Sequence, residues 1–144
     1  MWLMLLPVAG EPATVLKTTD RIDAPAFSPD GQRLAIASLR NDRSEVFIVY
    51  ELPNCSAARQ FPVHAVRVSP HWVHDGSGIA FVPRVDPANI WVQPLDGKAP
   101  YALTHFSSGH ALTNFAWSHD GKRLAIARFT TTNDIVLFKG LKSR

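Results

Sequence analysis

A repeat of 45 residues constrains the fold of this chain more than any other feature. Three segments, FSPDG at 27–31, WVHDG at 72–76 and WSHDG at 117–121, follow one another at this spacing. After each segment come two apolar stretches with the length of β-strands. Periods of about 40–50 residues with several short strands per unit are typical of β-propeller blades. The sequence therefore predicts an all-β chain built from propeller blades.

The residue types in these segments suit a tight turn between antiparallel strands. In the first copy, Pro29 presets φ near about −65°, Asp30 suits the third turn position, and Gly31 accepts a positive φ. A turn that ends in a left-handed glycine joins two antiparallel strands through a bulge. We therefore predict one hairpin at each Asp-Gly pair.

The predicted units contain four antiparallel strands, named a to d from the centre outwards. In unit 19–63 these strands are 24–28, 34–38, 45–50 and 59–63, and in unit 64–108 they are 67–73, 79–83, 89–94 and 100–105. Unit 109–144 has strands at 113–118, 124–128 and 134–138 and lacks its outer strand. Residues 2–6 and 13–17 supply strands c and d of a preceding blade, within 1–18. Residues 1–144 are thus predicted to form a single incomplete propeller domain, a partial β-propeller of about three blades.

The N-terminal segment MWLMLLPVAG has two interpretations. It resembles a secretory signal, but it lacks a basic start and its apolar core is short. Residues 3–10 also match residues 90–97, with Pro7 aligned to Pro94 and Gly10 to Gly97. We therefore predict that the chain begins inside a strand of the repeat, with a cleaved signal as the alternative.

Composition excludes several classes of protein. Hydrophobic residues make up 46% and charged residues 19% of the chain, as in globular domains. The net charge is +3, and the basic residues are scattered except for a tail at Lys139, Lys142 and Arg144, so no nucleic-acid partner is predicted. The single cysteine excludes an internal disulfide and a multi-cysteine zinc site. Since no apolar run approaches about 20 residues, no membrane span is predicted.

No catalytic motif is present, so we assign no catalytic, cofactor-binding or metal-binding residue and predict no cofactor. The patterns GxSxG, GxxxxGK[ST], HExxH and GxGxxG are all missing. Ser77 lies in DGSG and is interpreted as a blade turn, with a nucleophile as the alternative. His74 and His119 replace Pro29 in the other two turns, where a turn role competes with a metal role.

Other side chains allow a structural and a functional interpretation. We expect the repeated aromatics Phe27, Trp72 and Trp117 to fill the space between blades, and a ligand cage is the alternative. His71 lies on a predicted inner strand and either contacts a ligand or channel or is satisfied by neighbouring backbone. For Cys55 we expect a free, partly buried thiol, with a redox role as the alternative.

Ligands of propellers usually bind on the face formed by the d-to-a and b-to-c loops, which is an argument from fold alone. Here these loops are 18–23, 39–44, 64–66, 84–88, 107–112 and 129–133. Their polar residues are Asp20, Arg21, Arg40, Asn41, Asp42, Arg43, Arg84, Asp86 and Asn133. This mixed charge fits either a solvated rim or a surface that binds a protein or peptide.

The segment SPDG followed by a strand, and then IWV-x-PLDG, resembles the TolB-type, WD-like propeller repeat of bacterial proteins over residues 2–140. The stretches NIWVQPLDGKAPYALTHF and FAWSHDGKRLAIARFTTTNDIVLFKGLK are similar to the C-terminal end of large bacterial sensory regulators. Such regulators carry a propeller after a serine/threonine kinase or winged-helix domain. The resemblance implies that this chain is the last part of such a propeller, and no motif of the kinase or the winged helix is present in it.

Three functions follow as hypotheses. The first is a non-enzymatic sensory or binding module with a protein or peptide partner, the second a TolB-like periplasmic scaffold, and the third an accessory propeller of a prolyl-oligopeptidase-type peptidase. No cellular compartment is assigned. Since closed propellers need about 4–8 blades, we also expect an open arc that self-associates through its blade edges or a piece of a longer protein. A dimer that closes a six-blade ring is one form of such association.

Overall fold

The computed structural model describes residues 2–6, 14–17, 20–63 and 66–130. These residues form strands and no helix. The strands are β1 (Trp2–Leu5), β2 (Thr14–Lys17), β3 (Arg21–Phe27), β4 (Arg33–Leu39), β5 (Glu45–Glu51), β6 (Ser56–Val63), β7 (Val66–Trp72), β8 (Gly78–Pro83), β9 (Trp91–Pro94), β10 (Tyr101–Ala102), β11 (Ala111–Trp117) and β12 (Leu124–Phe129). The described part of the chain contains no helix with the length and apolar character needed to cross a membrane.

The strands form two complete four-stranded sheets and two strand pairs. The first sheet has the order β3-β4-β5-β6 and the second the order β7-β8-β9-β10, each joined only by antiparallel neighbours. An N-terminal pair, β1-β2, precedes them and a C-terminal pair, β11-β12, follows. The prediction of an all-β partial propeller is therefore confirmed, while the strand predicted at 134–138 lies outside the described residues.

The outer strand of the second sheet is shorter than predicted. Residues 100–105 were expected to form it, but β10 covers only Tyr101–Ala102. After Ala102 the Leu103 N–H still donates to the Ile90 carbonyl at 2.8 Å. Side chains then take part: the Thr104 hydroxyl accepts from the Ile90 N–H at 2.9 Å, and Asn89 Oδ1 accepts from the Phe106 N–H at 2.6 Å. The chain thus leaves the regular ladder early, where side chains of Asn89 and Thr104 bind backbone N–H groups.

Each sheet is apolar on both sides, because neighbouring sheets cover it from the two directions. On the side of the first sheet that faces β1, here called the leading side, Leu34, Ile36, Val46 and Ile48 pack with Leu3 and Leu5. On the opposite, trailing side, Ala35, Phe47, Val49, Phe61 and Val63 pack with Trp72, Ile79 and Phe81 of the second sheet. The trailing side of the second sheet meets the C-terminal pair through Ala80, Val82, Val92, Leu112 and Phe115. The sheets therefore stack in chain order, as propeller blades do.

The three repeated turns have the predicted backbone. Gly31, Gly76 and Gly121 have φ values of 70°, 70° and 68°. In each turn the aspartate Oδ1 accepts from the backbone N–H two residues later, at 3.0 Å for Asp30, 2.9 Å for Asp75 and 3.1 Å for Asp120. This hydrogen bond is a known reason for aspartate in turns. The turn prediction is confirmed.

The repeated aromatics differ in burial. Trp72 is 6% exposed, its Nε1–H donates to the Ala26 carbonyl at 2.8 Å, and the Arg33 guanidinium lies 4.9 Å above its ring centroid. Trp117 packs against the second core. The expectation of inter-blade packing is therefore confirmed for these two residues and wrong for Phe27, which is 59% exposed. Leu3 and Leu5 of β1 pack in the cluster that contains Leu34 and Ile36, and Phe27 is not part of that cluster.

Candidate functional site

A cavity of about 200 Å³ opens between the first and second sheets, at the ends joined by the d-to-a and b-to-c loops. We call this end of the molecule the loop face. The cavity is lined by Arg21, Asp23, Ala24, Ala37, Ser38, Leu39, Glu45, Val63, Val66, Ser69, Pro70 and Arg84. These residues come from the start of β3, β5 and β7 and from the end of β4, β6 and β8. The sheet stacking therefore brings six strand ends together around one cavity.

One row of the first sheet supplies the near wall. In the strand register Arg21 lies opposite Leu39, Leu39 opposite Glu45, and Glu45 opposite Val63. Directly opposed residues of antiparallel strands point to the same side of a sheet. The row thus alternates, with charged Arg21 and Glu45 on β3 and β5 and apolar Leu39 and Val63 on β4 and β6. Val63 is 6% exposed and forms part of the apolar floor.

Backbone atoms of Val66, on β7 of the second sheet, bind one charged side chain from each sheet beside this row. The Glu45 carboxylate accepts from the Val66 N–H at 2.6 Å, and Arg84 Nε donates to the Val66 carbonyl at 3.1 Å. Glu45 belongs to the first sheet and Arg84 follows β8 of the second. These two contacts place an acidic and a basic side chain at fixed positions on opposite walls of the cavity.

Irregular inner strands border the cavity. The register of β3 with β4 shifts between Asp23 and Ala26, and Ala24 within this bulge has φ 49°. The register of β7 with β8 shifts between Val68 and His71, next to Ser69 and Pro70. Bulges leave a residue outside the regular ladder and re-aim side chains. Both inner strands therefore depart from regular pairing where they meet the cavity.

A second depression adjoins the cavity on the loop face and shares Glu45 and Val63 with it. It is lined by Arg40, Arg43, Ser44, Glu45, Val46, Pro62 and Val63. Asp42 shapes its loop by accepting from the Ser44 hydroxyl at 2.6 Å and from the Ser44 N–H at 2.9 Å. These hydrogen bonds, with the hydroxyl first, lower the pKa of Asp42. Two arginines thus extend the polar surface beyond the cavity.

The structure brings together only part of the predicted loop residues. Arg21 and Arg84 line the cavity, and Arg40 and Arg43 line the depression. Asp20, Asn41 and Asp86 line neither of them, and Asn133 lies outside the described residues. Sequence reasoning missed Asp23, Glu45 and Ser69. Glu45 was detectable, because it shares a strand side with the buried Phe47 and Val49, where a charged residue is unusual.

His71 and Cys55 lie away from the cavity lining. The His71 ring is half-buried against the Phe115 ring, with centroids 4.7 Å apart, and burial lowers its pKa. This geometry is a packing contact between the second sheet and the C-terminal pair. Cys55 is a free thiol, 7% exposed, with Sγ 3.6 Å from the Pro53 carbonyl. The expectation of a free thiol is confirmed, and the thiol is more deeply buried than the partly buried one that was expected.

At the end of the molecule opposite the loop face, polar side chains stabilise the repeated turns. The Ser77 N–H donates to Asp75, whose pKa is lowered by hydrogen bonds from Ser77. His74 lies against the turn glycine Gly121 of the following hairpin. Among the described residues no group of three His, Cys, Asp or Glu side chains is placed to hold a metal ion. The polar chemistry of this end is therefore accounted for by turn geometry.

The lining of the cavity combines apolar side chains with charged groups that can bind a partner. Its floor contains the apolar side chains of Val63, Val66 and Pro70, and its walls carry Arg21 and Arg84 as donors. Asp23 and Glu45 add acceptors, so positive and negative groups are balanced. An apolar floor within a polar rim is typical of pockets that hold one anchoring side chain of a partner.

Part of the chain is similar in sequence to TolB proteins. No known protein-family profile matches the chain. The chain is 32% identical over 71 residues to the Tol-Pal system protein TolB of Ruthia magnifica subsp. Calyptogena magnifica, which is 49% of this chain and 17% of that protein. It is 32% identical over 68 residues to the protein of the same name from Vesicomyosocius okutanii subsp. Calyptogena okutanii, or 47% of this chain and 16% of that protein. The matches thus span about a sixth of the length of these relatives.

The fold of the chain is similar to that of solved β-propeller structures. The putative TolB from Agrobacterium tumefaciens superposes with a TM-score of 0.67 and 18% identity, covering 88% of this chain and 45% of that one. The β-propeller domain of the Trilobed protease from Pyrococcus furiosus, described as having an open velcro topology, gives a TM-score of 0.55 and 19% identity, covering 74% and 34%. At these identities the superpositions establish the fold. The fold and the sequence matches agree on a TolB-like β-propeller.

Proposed function

We propose that this TolB-like β-propeller is a non-catalytic module that binds a protein or peptide partner through its loop face. The observation that carries the proposal is the cavity between the first and second sheets, with Val63 and Pro70 in its lining and Arg21 and Arg84 at its walls. An anchor side chain of the partner enters the cavity, and neighbouring backbone groups of the partner contact the rim.

The cavity by itself has the size of a pocket for one anchoring side chain. It measures about 200 Å³, less than the roughly 300–1,000 Å³ of pockets for drug-sized ligands, and the open depression beside it measures about 390 Å³. A volume of about 150 Å³ is enough for a single aromatic ring. The adjoining depression with Arg40 and Arg43 then provides contacts for the residues next to the anchor.

The names of the sequence relatives favour a role in a protein assembly for the protein that carries this propeller. The curated relatives are Tol-Pal system proteins, and we propose a scaffold role of this kind, or the sensory end of a larger bacterial regulator, for the protein that carries this propeller. An accessory role beside a peptidase is the second candidate, since the propeller domain of a protease superposes on the chain. In each setting the propeller itself binds and does not catalyse.

Selection of binding peptides from a displayed random library tests the loop face. Peptides selected on the wild-type chain should lose at least about tenfold in affinity for the double variant Arg21→Glu, Arg84→Glu, because two charges at the cavity reverse. The matched control is Arg123→Glu, an exposed arginine beside the turn at the opposite end. Equal binding to all three proteins would refute the loop face as the binding surface.

A serine-reactive phosphonate probe tests the absence of catalysis. Ser77 is exposed, and its N–H donates to Asp75 within the turn. Its hydroxyl also hydrogen-bonds to the Asp75 carboxylate, and this contact lowers the pKa of Asp75 and makes it a weak base. We therefore expect no labelling above that of a Ser77→Ala variant. Specific labelling at Ser77 would overturn the non-catalytic proposal.

A further inference from the structure

The depression beside the cavity differs from the cavity in its charge. The cavity balances two arginines against two acidic residues, which are Arg21, Arg84, Asp23 and Glu45. The depression adds Arg40 and Arg43 to this lining, and Glu45, which the two share, is the one acidic side chain among its described lining residues. Asp20, Asp42 and Asp86 line neither of them. The lining therefore has an excess of positive charge where it extends beyond the cavity.

The guanidinium groups of Arg40 and Arg43 have few acceptors. Arg40 Nη2 donates to Gln60 Oε1 at 2.5 Å, and its charge adds to the hydrogen bonds from Ser44 in lowering the pKa of Asp42. Within the described part of the chain neither arginine forms an ion pair. Each guanidinium carries five N–H donors. Most of these donors are therefore available to a bound partner.

The carboxylates of this region already accept hydrogen bonds within the protein. Asp42 accepts from the Ser44 hydroxyl at 2.6 Å and from the Ser44 N–H at 2.9 Å. Glu45 accepts from the Val66 N–H at 2.6 Å. These contacts hold one carboxylate in its loop and the other on the cavity wall. An acidic partner supplies the acceptors that the two arginines lack.

The backbone of Arg43 is strained. Its φ is 67°, and its N–H donates to the Arg40 carbonyl at 2.9 Å, while the Arg40 N–H donates to the Ser44 carbonyl at 2.9 Å. Glycine is the usual residue at such a left-handed position of a hairpin loop, because it has no Cβ. Strained residues of this kind are concentrated at functional sites. An arginine in place of glycine therefore supports a role for its side chain in binding.

We infer that the partner of the loop face is an acidic peptide segment, in which an Asp or Glu next to the anchor side chain binds Arg40 and Arg43. The inference rests on the proposed function, because the anchor has to enter the cavity. The cavity and the depression share Glu45 and Val63, so one short segment reaches both. Carboxylates and guanidinium groups form short, charge-assisted hydrogen bonds, often as bidentate pairs.

Peptides selected on the wild-type chain from a displayed random library provide the test. They should be enriched in Asp and Glu close to an apolar residue. One of them is synthesised in its acidic form and in an amide form with Asn and Gln at the same places. The wild-type chain should bind the amide form at least about tenfold more weakly. The double variant Arg40→Gln, Arg43→Gln should bind both forms within about twofold of each other, whereas the exposed control Arg123→Gln should keep the wild-type preference.

Arg43→Gly separates binding from folding. Glycine relieves the positive φ, and Arg43 is exposed, so the midpoint of urea unfolding should stay the same or rise. The acidic peptide should nevertheless bind this variant more weakly than it binds the wild-type chain. A lower midpoint with unchanged peptide binding would make Arg43 a structural residue and overturn the inference.

The same measurements distinguish failure of this inference from failure of the proposed function. If peptide binding depends on Arg21 and Arg84 while the acidic and amide forms bind the wild-type chain equally, the loop face binds peptides and the acidic partner is refuted. If binding does not depend on Arg21 and Arg84, the proposed use of the cavity fails, and the inference fails with it. A preference for the acidic form that persists in Arg40→Gln, Arg43→Gln also overturns the inference, because another basic group then binds the carboxylate.

Discussion

Trp72 and Trp117 occupy the same position of the repeat, but their polar atoms have different surroundings. The Trp72 indole donates to the Ala26 carbonyl at 2.8 Å, while the buried Nε1 of Trp117 has no hydrogen-bond partner in the described structure. At the position of Ala26 the second sheet has His71, whose ring packs on Phe115 at 4.7 Å. The repeat thus determines the position of the tryptophan. The residues of the preceding blade determine whether its indole N–H has a hydrogen-bond acceptor.

We expect the largest loss of stability when Trp72, whose indole N–H is hydrogen-bonded, is truncated. Trp72→Ala removes a ring that is 6% exposed, together with its hydrogen bond and the Arg33 contact. Such truncations cost about 3–5 kcal/mol. Trp117→Ala should cost less, since the same side chain is only half-buried and lacks the hydrogen bond. Urea unfolding of both variants measures the difference, and equal losses would contradict the comparison.

The turn glycines extend the comparison to the opposite end. Gly76, Gly97 and Gly121 all have a positive φ, of 70°, 85° and 68°, so valine at any of them is strained by about 1–3 kcal/mol. Their neighbours differ: a Cβ at Gly121 would overlap the His74 ring, one at Gly76 would touch Arg33, and one at Gly97 meets no atom within 4 Å. We expect the loss of unfolding free energy to rank Gly121→Val, Gly76→Val, Gly97→Val. The reverse order in urea unfolding would be evidence against the turn contacts.

Smaller changes isolate the indole hydrogen bond. Trp72→Phe removes a satisfied N–H and leaves the Ala26 carbonyl without it, so a loss of about 0.5–1.5 kcal/mol is expected beyond the change in size. Trp117→Phe removes an N–H without a partner and should cost less than Trp72→Phe. The matched pair shares the change in side-chain volume. A larger loss at Trp117 in urea unfolding would show that its N–H is satisfied.

The smallest effect is a change in pH dependence. Burial lowers the pKa of His71 in the folded chain, so the unfolded chain takes up the proton first as the pH falls. The free energy of unfolding should therefore decrease as the pH drops below the ordinary histidine pKa of about 6.5. His71→Ala should flatten that decrease. Parallel pH profiles for wild type and His71→Ala would contradict the burial of this ring.

Much of the fold is predictable from the sequence because the same turn residues and apolar strands occur in all three copies of the repeat. Aspartate and glycine in the turns, and alternating apolar strands, predict the hairpins without any tertiary information. The early end of β10 was not predictable, because it depends on Asn89 and Thr104 meeting backbone groups across the sheet. The exposure of Phe27 likewise depends on tertiary packing, because Phe27 lies outside the cluster that Leu3 and Leu5 cover.

The cavity was predictable in location and only partly in its residues. Loop composition indicates the polar face and two of its lining arginines, Arg21 and Arg84. The remaining lining comes from strand ends, where register decides which side chains meet. Glu45 lies in the cavity because its register places it between Leu39 and Val63. Such pairing is a property of the assembled sheet, so no loop pattern reveals it.

Mapping of amide shifts in two-dimensional NMR tests the central claim most directly. A peptide selected on the wild-type chain is titrated into the labelled protein, and the amides of Leu39, Glu45 and Val66 report on the cavity. The amides of Gly31, Gly76 and Gly121 report on the opposite end, where they close the repeated turns. A protein-binding loop face predicts shifts in the first group and none in the second. Shifts confined to the turn glycines, with the cavity amides unchanged, would contradict the account.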